Sequence, residues 1–128
     1  MEIERQEKEK ATILIPKGDL IYKGIDELET LFKELSDSAR FVILDLTHTR
    51  YLSAKTLGII AFYIKPFRNK QGGLKLVNVN ENIKKLLYVT DIIKVIEIFD
   101  DEDAALASIS PQVGNLEKML LWSKEGFV

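Results

Sequence analysis

The chain has 128 residues, 46% hydrophobic and 30% charged, the balance of a single globular domain rather than of a disordered or fibrous chain. Its formal charge is −2, from 18 basic and 20 acidic side chains, which argues against a protein that coats nucleic acid. With no cysteine and one histidine, His48, it excludes disulfides, thiol chemistry, Cys-ligated zinc and His-pair metal sites, and no cofactor is expected.

The first ten residues alternate acid and base around Ile3 and lack the apolar run of a signal peptide. They read as an edge strand or a frayed tail. Residues 11–15 are apolar and β-branched and stop at Pro16 and Gly18, the pattern of a strand followed by a turn. Residues 21–37 form an amphipathic helix, with Ile25, Leu28, Leu31, Phe32 and Leu35 at helical spacing. Residues 41–46 are a near-continuous apolar run, as in a strand covered on both faces.

A second helix runs from an N-cap at Ser53 to about Asn69, and Pro66 is expected to bend or end it. It carries two apolar stripes. Leu57, Ile60, Ala61 and Ile64 are assigned inward, which leaves Ile59, Phe62 and Tyr63 for another surface. Gly72 and Gly73 turn the chain into a strand over 74–79. A short helix capped by Asn80 or Asn82 follows, then a strand over 94–99. A fourth helix over 104–109 opens on Asp100, Asp101, Glu102 and Asp103, whose charges complement the helix dipole. Pro111 and Gly114 break the pattern, so 1–110 reads as the domain and 111–128 as an amphipathic extension carrying Leu116, Met119, Leu120 and Trp122.

The order β-β-α-β-α-β-α-β-α predicts an α/β fold: a small, mostly parallel, mixed sheet of about five strands with about four flanking helices. No phosphate-binding glycine loop and no nucleophile elbow is present. Asp45 and His48 form half an acid–base pair without a nucleophile, and the plainer reading is a strand-end carboxylate beside an exposed loop histidine. The longest strongly apolar stretch, 56–64, is too short to cross a membrane, so a cytoplasmic location without membrane contact is expected.

The most informative segment is 47–58, where a buried strand delivers the chain to a helix N-terminus, a place that favours anions or a phosphorylated side chain. Gly58 costs that helix about 1 kcal/mol against alanine, which points to close packing or to close approach by another molecule.

Residues 41–46 and the run Ser53-Ala54-Lys55-Thr56-Leu57-Gly58 resemble the core of the STAS domain, shared by sulfate transporters and anti-sigma factor antagonists. The family pattern is an apolar strand ending in Asp-Leu, then D-S-S-G-L-G opening a helix. Pro16 to Leu20, Gly72 to Val77, Ile83 to Leu87 with Asp91-Ile92, and Asp101 to Leu106 resemble further family segments, so the likeness covers about residues 3–109. The resemblance implies a non-enzymatic binding module whose partner is an anti-sigma factor that is also a kinase. It further implies a serine at the start of the second helix whose phosphorylation releases the complex by placing charge in a packed interface.

This chain departs from the pattern there. Lys55 stands where the family has its phosphorylated serine, and Ile21 where it has an aspartate. The switch is then absent or displaced to Ser53 or Thr56. The partner surface expected from sequence is Ser53, Lys55, Thr56, Ile59, Phe62 and Tyr63, with Asp19 at its rim. A homodimer through the second helix or the C-terminal segment is an accompanying expectation. The alternative is a sensor that holds a nucleotide or other anion on Arg50 and Lys55. No acidic residue lies between Asp45 and Glu81, while Arg50, Lys55, Lys65, Arg68, Lys70 and Lys75 are basic, so an acidic partner surface or an anionic ligand is expected at the second helix.

Overall fold

The computed structural model describes residues 1–109. The expectations placed on 111–128, including Trp122 and a C-terminal dimer contact, lie outside the described residues. The elements are β1 (Ile3–Glu7), β2 (Ala11–Pro16), α1 (Ile25–Ser36), β3 (Phe41–Asp45), α2 (Ala54–Asn69), β4 (Gly73–Val77), α3 (Glu81–Val89), β5 (Glu97–Phe99) and α4 (Glu102–Ile109). They build one sheet in the order β1-β2-β3-β4-β5. The β1–β2 pair is antiparallel and the other three pairs are parallel, as the sequence of elements predicts.

Side chains alternate across the strands and so divide the core in two. Leu14, Val42, Leu44, Leu74 and Leu76 face α1, α2 and α3 and meet Leu28, Phe32, Ile60, Phe67, Ile83 and Leu87. Ala11, Ile13, Ile15, Ile43 and Val77 face the other way and meet Ala105 and Ile109 of α4. Lys75 shares that second face. It is buried beneath α4's side of the sheet, paired with Glu97 at 3.0 Å and set between the rings of Phe41 and Phe99. It therefore does not belong to a basic patch around the second helix, as its charge suggested.

Two boundary differences from the sequence reading bear on the site. Helix α1 begins at Ile25, because Gly24 takes a left-handed φ of 82° and residues 20–24 are drawn aside to pair with the next loop. Strand β5 is only three residues long, because Ile92–Lys94 form a 3-10 turn. Helix α2 ends at Asn69, as expected, and Pro66 sits in its last turn without ending it.

The two apolar stripes of α2 have a simple cause. One packs on the sheet and the other on α1. Ile59 and Tyr63, expected on an interaction surface, are buried in the core, and Ala61, expected inside, is exposed. The Tyr63 ring stands edge-on to Phe32 at 5.7 Å, and Phe32 meets Phe67 in the same way at 5.8 Å. Phe32→Ala should therefore lower the unfolding free energy by about 3–5 kcal/mol in urea titration, since it empties the α1–α2 contact.

Candidate functional site

Three loops meet at the C-terminal edge of the parallel strands. The β2–α1 loop is sewn to the β3–α2 loop through Leu20: its N–H donates to the Tyr51 carbonyl at 3.1 Å, and its own carbonyl accepts from Ser53 N–H at 3.0 Å. Thr49 Oγ1 donates to the Gly18 carbonyl at 2.8 Å. Asp19 accepts from the Arg50 backbone N–H at 2.7 Å and faces its guanidinium at 3.3 Å. That backbone hydrogen bond, with the Arg50 charge, holds the Asp19 carboxyl below its ordinary range. The third loop joins through Asn80, whose amide donates to the Arg50 carbonyl at 3.0 Å while its oxygen caps α3 at Ile83.

Helix α2 starts from this platform. Ser53 is its N-cap and accepts from Thr56 N–H at 3.1 Å. Thr56 is fully buried, and its hydroxyl donates to the Leu20 carbonyl at 2.8 Å. A kinase cannot reach it in the folded chain, which removes Thr56 both as a contact residue and as a displaced phosphosite. Ser53 is half-buried and engaged in the cap.

The remaining expected residues are exposed on one side of α2. Lys55 projects into solvent, with the exposed Asp26 of α1 as its ion-pair partner among the described residues, at 3.7 Å. Gly58 lies one turn on, and a Cβ built there meets nothing within 4 Å, so packing among the described residues does not call for a glycine. Phe62 follows at 67% exposure, with the small residues Ala54 and Ala61 beside this row. The loops add Tyr51, 49% exposed with Arg50 over its ring at 5.8 Å, and Tyr22 at 89%. The partner surface expected from sequence did not include Tyr22 or Ile21. Their signal was an aromatic–aliphatic pair in a loop that the apolar periodicity had absorbed into α1.

Asp45 does not face His48, which is exposed. Its Oδ1 accepts from Thr47 N–H, Thr47 Oγ1 and Asn78 Nδ2 at 2.9, 2.6 and 3.0 Å. Burial raises its pKa, but hydrogen bonds with Glu102, Thr47 and Asn78 outweigh this and hold it below the ordinary value. The acidic opening of α4 does act as a cap, with Asp101 Oδ1 accepting from Ala104 N–H at 2.8 Å. Among the described residues no group of three or more acidic or histidine side chains could hold a metal, and no helix is long and apolar enough to cross a membrane.

A mixed five-stranded sheet with an N-capped helix entering at its C-terminal edge is the STAS arrangement. The STAS domain family model matches residues 2–105, and the chain belongs to that family. Comparison with curated protein sequences finds no match. Among solved structures, the fold is similar to an anti-sigma factor antagonist (STAS) domain protein from Planctomyces limnophilus, with a TM-score of 0.75 and 19% identity over 84% of this chain and 97% of that one. It is also similar to the phosphorylated Bacillus cell fate determinant SpoIIAA, with a TM-score of 0.67 and 9% identity over 84% and 99%. The same fold occurs within a murine Solute Carrier family anion transporter, with a TM-score of 0.65 and 13% identity over 80% of this chain and 18% of that one.

Ser53→Ala should lower stability by about 1 kcal/mol, while Ser53→Asp, which keeps the capping oxygen and suits the helix dipole, should leave it nearly unchanged. Urea titrations of the two variants check this.

Proposed function

We propose that the protein is a binding module of the anti-sigma factor antagonist type, and that its partner docks on the exposed face of α2 and the loops beside it. The observation that carries this is Gly58. A glycine in the first turns of a helix, on its exposed face, lowers stability, and no neighbour among the described residues explains it. Its surroundings, Lys55, Phe62, Tyr51 and Tyr22, form a mixed aromatic and cationic surface of the kind that supplies binding energy. Membership of the STAS family and likeness to antagonist structures support a protein partner of the anti-sigma factor or kinase-like class. Lys55 then supplies a fixed positive charge to an acidic partner group. The usual serine switch is lost at this position, and Ser53 serves as a cap.

The anion-sensor reading is the weaker one. Arg50 already faces Asp19, so a two-cation grip on a free anion is not preformed.

Gly58→Ala should separate fold from function. It is expected to raise stability by about 0.5–1 kcal/mol in thermal or urea unfolding, because helix propensity improves and nothing clashes. In affinity capture from the native lysate, followed by mass spectrometry, the wild type should retain a kinase-like or anti-sigma partner. Gly58→Ala should reduce its recovery and Lys55→Glu should abolish it. Equal recovery by all three would overturn the proposed surface. Phosphate found on Ser53 after incubation with the captured partner and ATP would show that the switch has moved rather than vanished.

A further inference from the structure

Helix α3 presents a second apolar surface. It buries only Ile83 and Leu87 of its nine residues. Its last turns leave Tyr88 67% and Val89 75% exposed, and Leu86 is exposed too. Tyr88 and Val89 line a shallow cleft of about 430 Å³ with Glu81, Asn82, Lys84 and Lys85. Large apolar side chains scattered singly need no explanation, but three gathered at one end of a short helix mark a docking face.

The path of the chain supplies the occupant. Helix α3 leaves the C-terminal edge of β4 and leads into the start of β5, so its exposed end lies toward the N-terminal edge of the parallel strands. Helix α4 returns from the end of β5 over the other face and reaches the same edge. Its last residue, Ile109, shares a cleft with Arg40 and Phe41 at the start of β3 and with Gln71 just before β4. The described chain ends there, and residues 110–128 follow. Their sequence opens on Ser110-Pro111-Gln112-Val113-Gly114-Asn115, where Pro111 and Gly114 favour a linker. It continues with Leu116, Met119, Leu120 and Trp122, an amphipathic pattern.

We infer that the exposed end of α3 is the docking site of the chain's own segment 116–122. This inference does not rest on the proposed partner surface on α2. The reach is sufficient. The chain from Ile109 to Leu116 spans about 23 Å when extended. Rounding the sheet edge from the α4 layer to the α3 layer takes about 20 Å, two layer separations of about 10 Å each. The sheet face beneath α4 is no rival, because Ile13, Ile43 and Val77 there are already fully buried. Tethering makes the docking unimolecular, at an effective concentration on the order of millimolar, so a small apolar contact suffices. While the segment is seated, the apolar end of α3 is closed to other proteins, and a partner that used it would first displace the segment.

The test uses the full chain, with its single tryptophan, Trp122, as the probe. In the native chain Trp122 emission should be blue-shifted from that of the urea-unfolded chain, and acrylamide should quench it several-fold more weakly. Val89→Glu and Tyr88→Ser change exposed positions, so each should keep the wild-type far-UV circular dichroism spectrum. Each should nonetheless return Trp122 most of the way to the emission and quenching of the unfolded chain. Phe62→Glu, on the α2 row, should leave Trp122 as in the wild type, which separates this contact from the proposed partner surface. Serial dilution should change nothing, since the contact lies within one chain. Native emission equal to that of the unfolded chain, or emission unmoved by both α3 variants, would overturn the docking. So would a blue shift that fades on dilution, which would place the segment on a second copy.

Discussion

The geometry of the site depends on the backbone of one residue, Leu20. Its carbonyl accepts two donors, Ser53 N–H at 3.0 Å and Thr56 Oγ1 at 2.8 Å, and its N–H is spent on Tyr51. Its side chain is fully buried. A helix N-terminus has four N–H groups without intrahelical partners and tends to fray. Here the first turn is pinned from outside by a neighbouring loop, and Ser53 satisfies one of the free amides from within. The result is a helix start whose position is set by the β2–α1 loop. That is why Lys55, Gly58 and Phe62 stand in a fixed row and why Thr56 turns away from solvent.

The same seam explains the short α1. Had residues 20–24 continued as helix, Leu20 could not have paired with Leu52, and the α2 entrance would have lost its outer support. Gly24 makes the change of direction possible, since its φ of 82° is strained for other residues. The electrostatic layout follows from the same topology. Lys75 is carried by strand alternation to the α4 side, where Glu97, Phe41 and Phe99 enclose it. The basic character of the α2 side therefore rests on Arg50, Lys55, Lys65, Arg68 and Lys70, all exposed.

The order and direction of the elements were legible in the sequence because period-2 and period-3.6 patterns alternate cleanly. Ser53 as a cap was legible too, from residue type and place. Ile59 and Tyr63 were misassigned because a helix wedged between a sheet and a second helix buries more than one stripe, and periodicity alone does not report how many neighbours a helix has. Thr56 was misassigned because a hydroxyl one turn into a helix gives no sign that a distant carbonyl awaits it.

The substitution at Lys55 changes what kind of regulation this surface can carry. A phosphorylatable serine lets one interface exist in two charge states, whereas a lysine fixes the sign. Its contact with Asp26 is an exposed pair at 3.7 Å, with both side chains largely in water, and such pairs hold weakly. Lys55 can leave Asp26 for a partner carboxylate at little cost and can steer an acidic surface toward the helix as it approaches. On the proposed reading, association is then governed by partner supply and by the platform beneath the helix rather than by modification of the helix itself. That platform is reached from below through Thr47, which Asp45 grips by both its amide and its hydroxyl.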